Sequence, residues 1–150
     1  MSGAVLRMDR GVLGLVVEHC RRELPNEACG ILGGREGRIE SVHPVTSASP
    51  SPSRFAMDPA GQFRALDEIS RAGREVVGIY HSHPSGPAAP SSLDLEAACW
   101  PGTTVPNYPG AAQVIVSLLN GSAPVVKGYA AHAGAFVEVP IAIDDSEIGR

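Results

Sequence analysis

The sequence predicts an α/β domain with a mixed β-sheet flanked by helices. Three observations carry that prediction. Segments with apolar residues at helical spacing alternate along the chain with short β-branched or alternating segments, in the order helix, strands, helix, strand, helix, strands. The 150 residues are most simply one domain, 1–150, long enough to bury a core without staples, and neither a repeat nor a linker divides them. The 17 Gly and 13 Pro are more than usual but below the level of a disordered chain, so turns and long loops should separate the elements.

Asp9 is placed to cap a first helix running to about Leu24. In it Val12/Leu13, Val16/Val17, Cys20 and Leu24 recur on one face, and Pro25 ends it. Ala28 to Gly34 reads as a short buried strand, and Arg38–Val42 alternates as a second one would. The Ser/Pro-rich stretch from Pro44 to Ser53 reads as a loop, with a short strand expected over Arg54–Met57. Asp58-Pro59 is an N-cap followed by proline in the first turn. The helix it starts has Phe63, Leu66 and Ile69 as its expected apolar face and ends at Gly73. Glu75–His81 has the composition of a strand. Ser91 or Ser92 starts a third helix through Cys99, and Pro101–Gly110 is a loop. Ala112–Leu119, Val125–Ala131 and Ala135–Val139 complete the chain as strands, with Asn120-Gly121 as a hairpin turn.

Composition excludes several function classes. The net charge is −4, and Lys127 is the only lysine, so binding driven by nucleic-acid phosphates is not expected. Three cysteines, Cys20, Cys29 and Cys99, are an odd number without a Cys-x-x-Cys pair. That argues against a disulfide framework and for a reducing compartment. No apolar stretch reaches membrane-span length, and no basic segment followed by a long apolar one opens the chain. A cytoplasmic protein that does not bind membranes is expected.

The most informative stretch is His81-Ser82-His83, with Ser91 and Asp94 downstream. At i and i+2 on an extended backbone, both imidazoles lie on one face and can converge on one ion. Asp94, in the first turn of the next helix, can add a carboxylate oxygen once the Pro84–Pro90 segment folds that helix back. Three N/O ligands with a fourth position left for water make a catalytic zinc site, in which the water's pKa drops towards neutrality. The bland alternatives are surface histidines and a Ser91/Asp94 capping box, and for Ser91 capping and catalysis are compatible.

The run His81, His83, Ser91 and Asp94, as His-x-His, seven residues, Ser, two residues, Asp, resembles the JAMM motif of the JAB1/MPN (Mov34/PAD-1) zinc metalloproteases without a gap. The resemblance extends from the first helix to about Leu119 and is to the small stand-alone prokaryotic members. It also picks out Glu27, in Pro25-Asn26-Glu27-Ala28-Cys29-Gly30, as the family's upstream glutamate. Among ten glutamates Glu27 otherwise reads as an exposed residue after a helix. The resemblance implies a curved mixed sheet of the JAB1/MPN, cytidine-deaminase-like kind, and one catalytic Zn2+ held by His81, His83 and Asp94. It further implies Glu27 as the general base that takes a proton from water and returns it to the leaving amine, and Ser91 as hydrogen-bond donor to the developing oxyanion.

The function so implied is a zinc-dependent peptidase or isopeptidase. It would hydrolyse the bond after the Gly-Gly tail of a ubiquitin-like or sulfur-carrier protein, with Pro44–Ser53 and Pro101–Gly110 as candidate groove walls. Two alternatives are a RadC-like DNA-repair-associated JAB protein, suggested by His83-Pro84-Ser85-Gly86, and a non-catalytic MPN scaffold. The acidic charge weighs against the first and the full set of motif residues against the second. A zinc deaminase would need a Pro-Cys-x-x-Cys pair that the chain lacks. Cys29, on the same strand face as Glu27, reads as buried packing more than site lining. His19, His43 and His132 lack partners at ligand spacing, and Trp100 reads as packing the end of the third helix. Oligomeric state and carrier identity are not encoded.

Overall fold

The computed structural model describes residues 5–145. Its element order is β1 (Leu6–Asp9), α1 (Arg10–Arg22), β2 (Cys29–Arg35), β3 (Arg38–Val45), α2 (Pro59–Arg71), β4 (Glu75–His83), α3 (Ser92–Ala97), β5 (Ala112–Ser117), β6 (Val125–His132), β7 (Ala135–Val139) and β8 (Ile141–Asp144). All the strands lie in one sheet, ordered β7-β6-β5-β4-β2-β3-β1-β8. The pairs β4/β5, β1/β3 and β1/β8 are parallel and the others antiparallel, so the sheet is mixed, as expected.

Side chains alternate between the two faces of the central strands. Leu32, Tyr80, Val114 and Val116 pack with Val12, Val16 and Cys20 of α1. Their neighbours Ile31, Cys29 and Ile79 pack with Ala65 and Ile69 of α2. Both faces are therefore covered, which explains why the buried run in β2 does not alternate in polarity. On the α1 side Gly30 is needed, because a Cβ there would lie 2.3 Å from the Tyr80 ring. The helix caps follow the sequence: Asp9 accepts from Val12 N–H at 2.8 Å and Asp58 from Gly61 N–H at 3.0 Å.

Four expectations are corrected. β1 and β8 were not foreseen; each has only four residues, too few to show a period. β3 runs on to Val45, taking in Pro44, because β1 meets β3 only at Arg7/Arg38 and leaves the far half of that edge open. Arg54–Met57 forms no strand, only a bridge from Met57 to Ser47. On α2 the inward face is Gly61, Ala65 and Ile69, at i, i+4 and i+8; Phe63, two residues from Gly61, lies on the far side and is 72% exposed.

Candidate metal centre

β4 delivers the two histidines at its C-terminal end. His81 is fully buried and His83 is half-buried, and both lie on the α2 side of the sheet. The His81 ring stacks on Phe55, centroids 4.8 Å apart, and the Nδ1 of His83 faces the Pro87 carbonyl at 2.8 Å. That contact fixes the His83 tautomer with Nδ1 protonated and Nε2 free to ligate. The Pro84–Pro90 segment then returns the chain to Ser91, the N-cap of α3. Ser91 Oγ accepts from Asp94 N–H at 3.1 Å while Ser91 N–H donates to Asp94 Oδ2 at 2.8 Å, a complete capping box. The cap turns the Asp94 carboxylate back towards β4.

Three donors converge. His81 Nε2 and His83 Nε2 are 3.2 Å apart, His81 Nε2 is 3.2 Å from Asp94 Oδ1, and His83 Nε2 is 3.1 Å from Asp94 Oδ2. A tetrahedral ion with ligand bonds of 2.0–2.1 Å has donor–donor edges of about 3.3–3.4 Å. Two imidazole nitrogens and a carboxylate at these separations therefore fit a zinc-type site. Among the described residues this is the one His/Cys/Asp/Glu group that can hold a metal.

In the metal-free protein the three donors set one another's protonation. Burial, opposed by Asp94, lowers the His81 pKa and keeps the ring neutral, the form that ligates. Burial also pulls His83 down, but hydrogen bonding to Asp94 and the Pro87 carbonyl outweighs it and the pKa is raised. Burial pushes Asp94 up, and the hydrogen bonds from His81 and His83 overcome it, holding the carboxyl well below its usual range.

Glu27 is 5% exposed, so its reading as an exposed residue after a helix is overturned, and its Oε1 is buried without a hydrogen-bond partner. Burial raises its pKa from 4.5 to about 7, with His83 lowering and Asp94 raising it. The acid is therefore held near neutrality, beside the histidine–aspartate cluster. The stability sign follows. In the metal-free protein the folded pKa lies above the unfolded one, so Glu27 costs nothing below pH about 4.5. It costs stability increasingly up to pH about 7, and that cost is constant above. The difference in Tm between metal-free Glu27→Gln and wild type is expected to shift in the variant's favour from pH 4.5 to 7, as thermal melts at fixed ionic strength would measure.

Ser82, between the histidines, points to the opposite face and was not singled out from sequence. Its N–H donates to the Ala28 carbonyl at 3.1 Å and its Oγ accepts from Ala28 N–H at 2.8 Å. The hydroxyl thus takes the rung that a regular antiparallel pair would make to the Ser82 carbonyl. It holds both main-chain groups of the residue after Glu27, while Glu27 N–H itself donates to the Ser51 carbonyl at 2.8 Å. Ala28 is buried, so Ser82→Ala strands its N–H; a stability loss of about 1–3 kcal/mol is expected in urea denaturation.

Other sequence candidates lie elsewhere. Cys29 is buried with its thiol on the Val45 carbonyl at 3.4 Å, which is packing. His19 pairs with the Tyr80 hydroxyl at 2.7 Å beneath α1, and His43 with Glu68 at 2.9 Å. Trp100 does not pack inward: it is 56% exposed and lines an outer groove with Arg54, Leu93 and Thr103.

Comparison with known proteins adds the family. The model of prokaryotic homologues of the JAB domain matches residues 9–128. A probable TtuB-protein conjugate cleaving protease of Thermus thermophilus is 40% identical over 99 residues, 65% of this chain and 66% of that protein, just under two thirds of its length. The CysO-cysteine peptidase of Mycobacterium tuberculosis is 34% identical over 139 residues, 91% of this chain and 88% of that one. The solution structure of protein DSY2949 from Desulfitobacterium hafniense superposes with a TM-score of 0.80 at 32% identity, covering 93% of each chain. The JAB1/MPN domain protein AF2198 of Archaeoglobus fulgidus, at 20% identity and a TM-score of 0.52 over 93% of this chain and 99% of that one, shares the fold. The matched span takes in α1, Glu27, both β4 histidines and Asp94, and the chain belongs to the prokaryotic branch of the JAB1/MPN (JAMM) family.

Proposed function

We propose that the protein is a zinc-dependent peptidase or isopeptidase that hydrolyses the bond after the Gly-Gly tail of a ubiquitin-like or sulfur-carrier protein. The observation that carries this reading is the convergence of His81 Nε2, His83 Nε2 and an Asp94 oxygen beside the buried, unpartnered carboxyl of Glu27. Family membership and the names of the two relatives support it.

His81, His83 and Asp94 would hold the ion, which supplies Lewis acidity towards the scissile carbonyl and acidifies water. Glu27 is the base. Its pKa, raised by burial, matches proton transfer near neutral pH, and the charge of a bound dication would lower it enough to keep it ionised there. It takes a proton from the attacking water and delivers it to the departing amine. Ser91 uses its oxygen lone pair for the cap, which leaves its O–H free to donate to the oxyanion. The Ser51 carbonyl and the Ser82 hydroxyl hold the backbone on either side of Glu27, so base and ligands keep one geometry. Segment 47–57, closed by the Ser47–Met57 bridge, lies as a strap against His81 through Phe55, and a glycine tail passes where a side chain would clash there. No helix among the described residues is long and apolar enough to cross a membrane. A cytoplasmic carrier is the partner proposed.

The test is a set of ubiquitin-like carriers with a C-terminal Gly-Gly joined to a peptide or a protein lysine, incubated with zinc-loaded enzyme and resolved on gels. Cleavage that stops on chelation and returns with zinc is expected. Wild type that leaves every conjugate uncut, as Glu27→Ala does, contradicts the proposal.

A further inference from the structure

A cavity of about 290 Å³ opens directly beside the donor cluster, lined by His81 and Asp94 themselves. Its floor is the sheet at Ile79 and Gln113, which are register partners on β4 and β5. Its walls are Phe55 and Met57 of the strap, Gln62 of α2, and Asn107 and Tyr108 of the 101–110 loop. The walls are built: Asn107 donates its side-chain amide to the Ala97 carbonyl at 2.9 Å and its N–H to the Ala98 carbonyl at 3.0 Å, while the Gln62 amide donates to the Tyr108 hydroxyl. Those bonds leave the Asn107 and Gln62 side-chain carbonyls available.

Gln113 is the informative residue. It is 8% exposed, hence more than nine-tenths buried, yet its amide hydrogen-bonds to no described residue and opens on this cavity. The amide's polar atoms are not sealed off, so solvent reaches them through the cavity, and an occupant that displaces that solvent must offer hydrogen bonds in return. No Lys or Arg lines the cavity, and Asp94 is its only acid. A charged occupant would be desolvated without a counter-ion. The size is at the low end of ligand pockets and fits one residue, not a folded surface.

We infer that this cavity receives the side chain of the residue released beyond the scissile bond and selects uncharged, hydrogen-bonding side chains of the Ser, Thr, Asn and Gln class. The inference rests on the proposed cleavage after Gly-Gly. Two glycines have no side chain to place, so a cavity at the ligands serves the leaving residue. Gln113 donates to and accepts from it, and Asn107 and Gln62 contribute acceptors.

The test uses zinc-loaded full-length enzyme and a carrier ending Gly-Gly-Xaa, with Xaa as Ser, Thr, Asn, Ala, Leu, Asp or Lys. kcat/KM for Ser, Thr and Asn is expected to exceed that for Asp and Lys at least tenfold, and Gln113→Leu is expected to shrink the Asn/Ala ratio at least fivefold. A flat panel, a preference for charged residues, or an unchanged Asn/Ala ratio in Gln113→Leu overturns the inference. If no panel member is cut, the function reading fails and a second readout decides the cavity. The side-chain amide signals of Gln113 in 15N-labelled zinc protein are expected to shift with L-asparagine and not with L-aspartate. No shift with either, or equal shifts, overturns it.

Discussion

Glu27→Ala is expected to lower kcat by about 10²–10⁴-fold, the range for a positioned general acid–base, while zinc stoichiometry stays at one and KM changes little. The reason is the division of labour in the site. The three converging donors are on β4 and α3, whereas Glu27 precedes β2 and enters the cluster only through its carboxyl. Removing that carboxyl leaves the donor triangle, with its capping box and its Pro87 contact, in place. Steady-state kinetics with metal analysis on the same preparation check this. A variant that loses zinc together with activity would make Glu27 a ligand or a structural residue. An active variant would remove it from the chemistry.

Asp94→Asn is expected to weaken zinc binding by more than the 10–100-fold typical of losing an outer-shell partner, and to abolish cleavage. The amide keeps an oxygen for the Ser91 N–H, so α3 stays capped and the loss reads the charge rather than the helix. Saturating zinc raises the wild-type melting temperature, since a ligand at 1,000 times its Kd stabilises by about 4 kcal/mol. The variant is expected to show little or no such rise. Equal zinc-induced shifts in the two proteins would exclude Asp94 as a ligand.

The parts of the site readable in advance were those encoded locally. His81 and His83 share a face because a strand has period two, and Ser91/Asp94 cap a helix whatever else they do. Glu27 has no local signature. Only the family resemblance picked it out, because its burial depends on the fold bringing 27 against 83 and 94. Ser82 has a local signature too: a serine alternating with two inward histidines must face the other side of the sheet, where a buried hydroxyl needs a partner. Gln113 and Phe55 belong to no motif, and only tertiary packing places them at the cavity. The same division holds in the fold. Capped helices and long strands were legible, whereas β1 and β8 stabilise each other across nearly the whole chain with no local pattern to announce them. Phe63 is apolar, but its angular position on α2 carries it away from the sheet, which the small residues Gly61 and Ala65 let the helix approach.

The central claim is hydrolysis by this donor set with Glu27 as base, and intact-mass spectrometry of one carrier conjugate tests it most directly. Incubated with zinc-loaded wild type, a Gly-Gly-linked conjugate is expected to yield the carrier ending in Gly-Gly with a free carboxylate, plus the released amine. Those product masses should sum to the substrate plus one water, and the conjugate should remain whole with Glu27→Ala. An unchanged conjugate with wild type, or the same products with Glu27→Ala, would contradict the account.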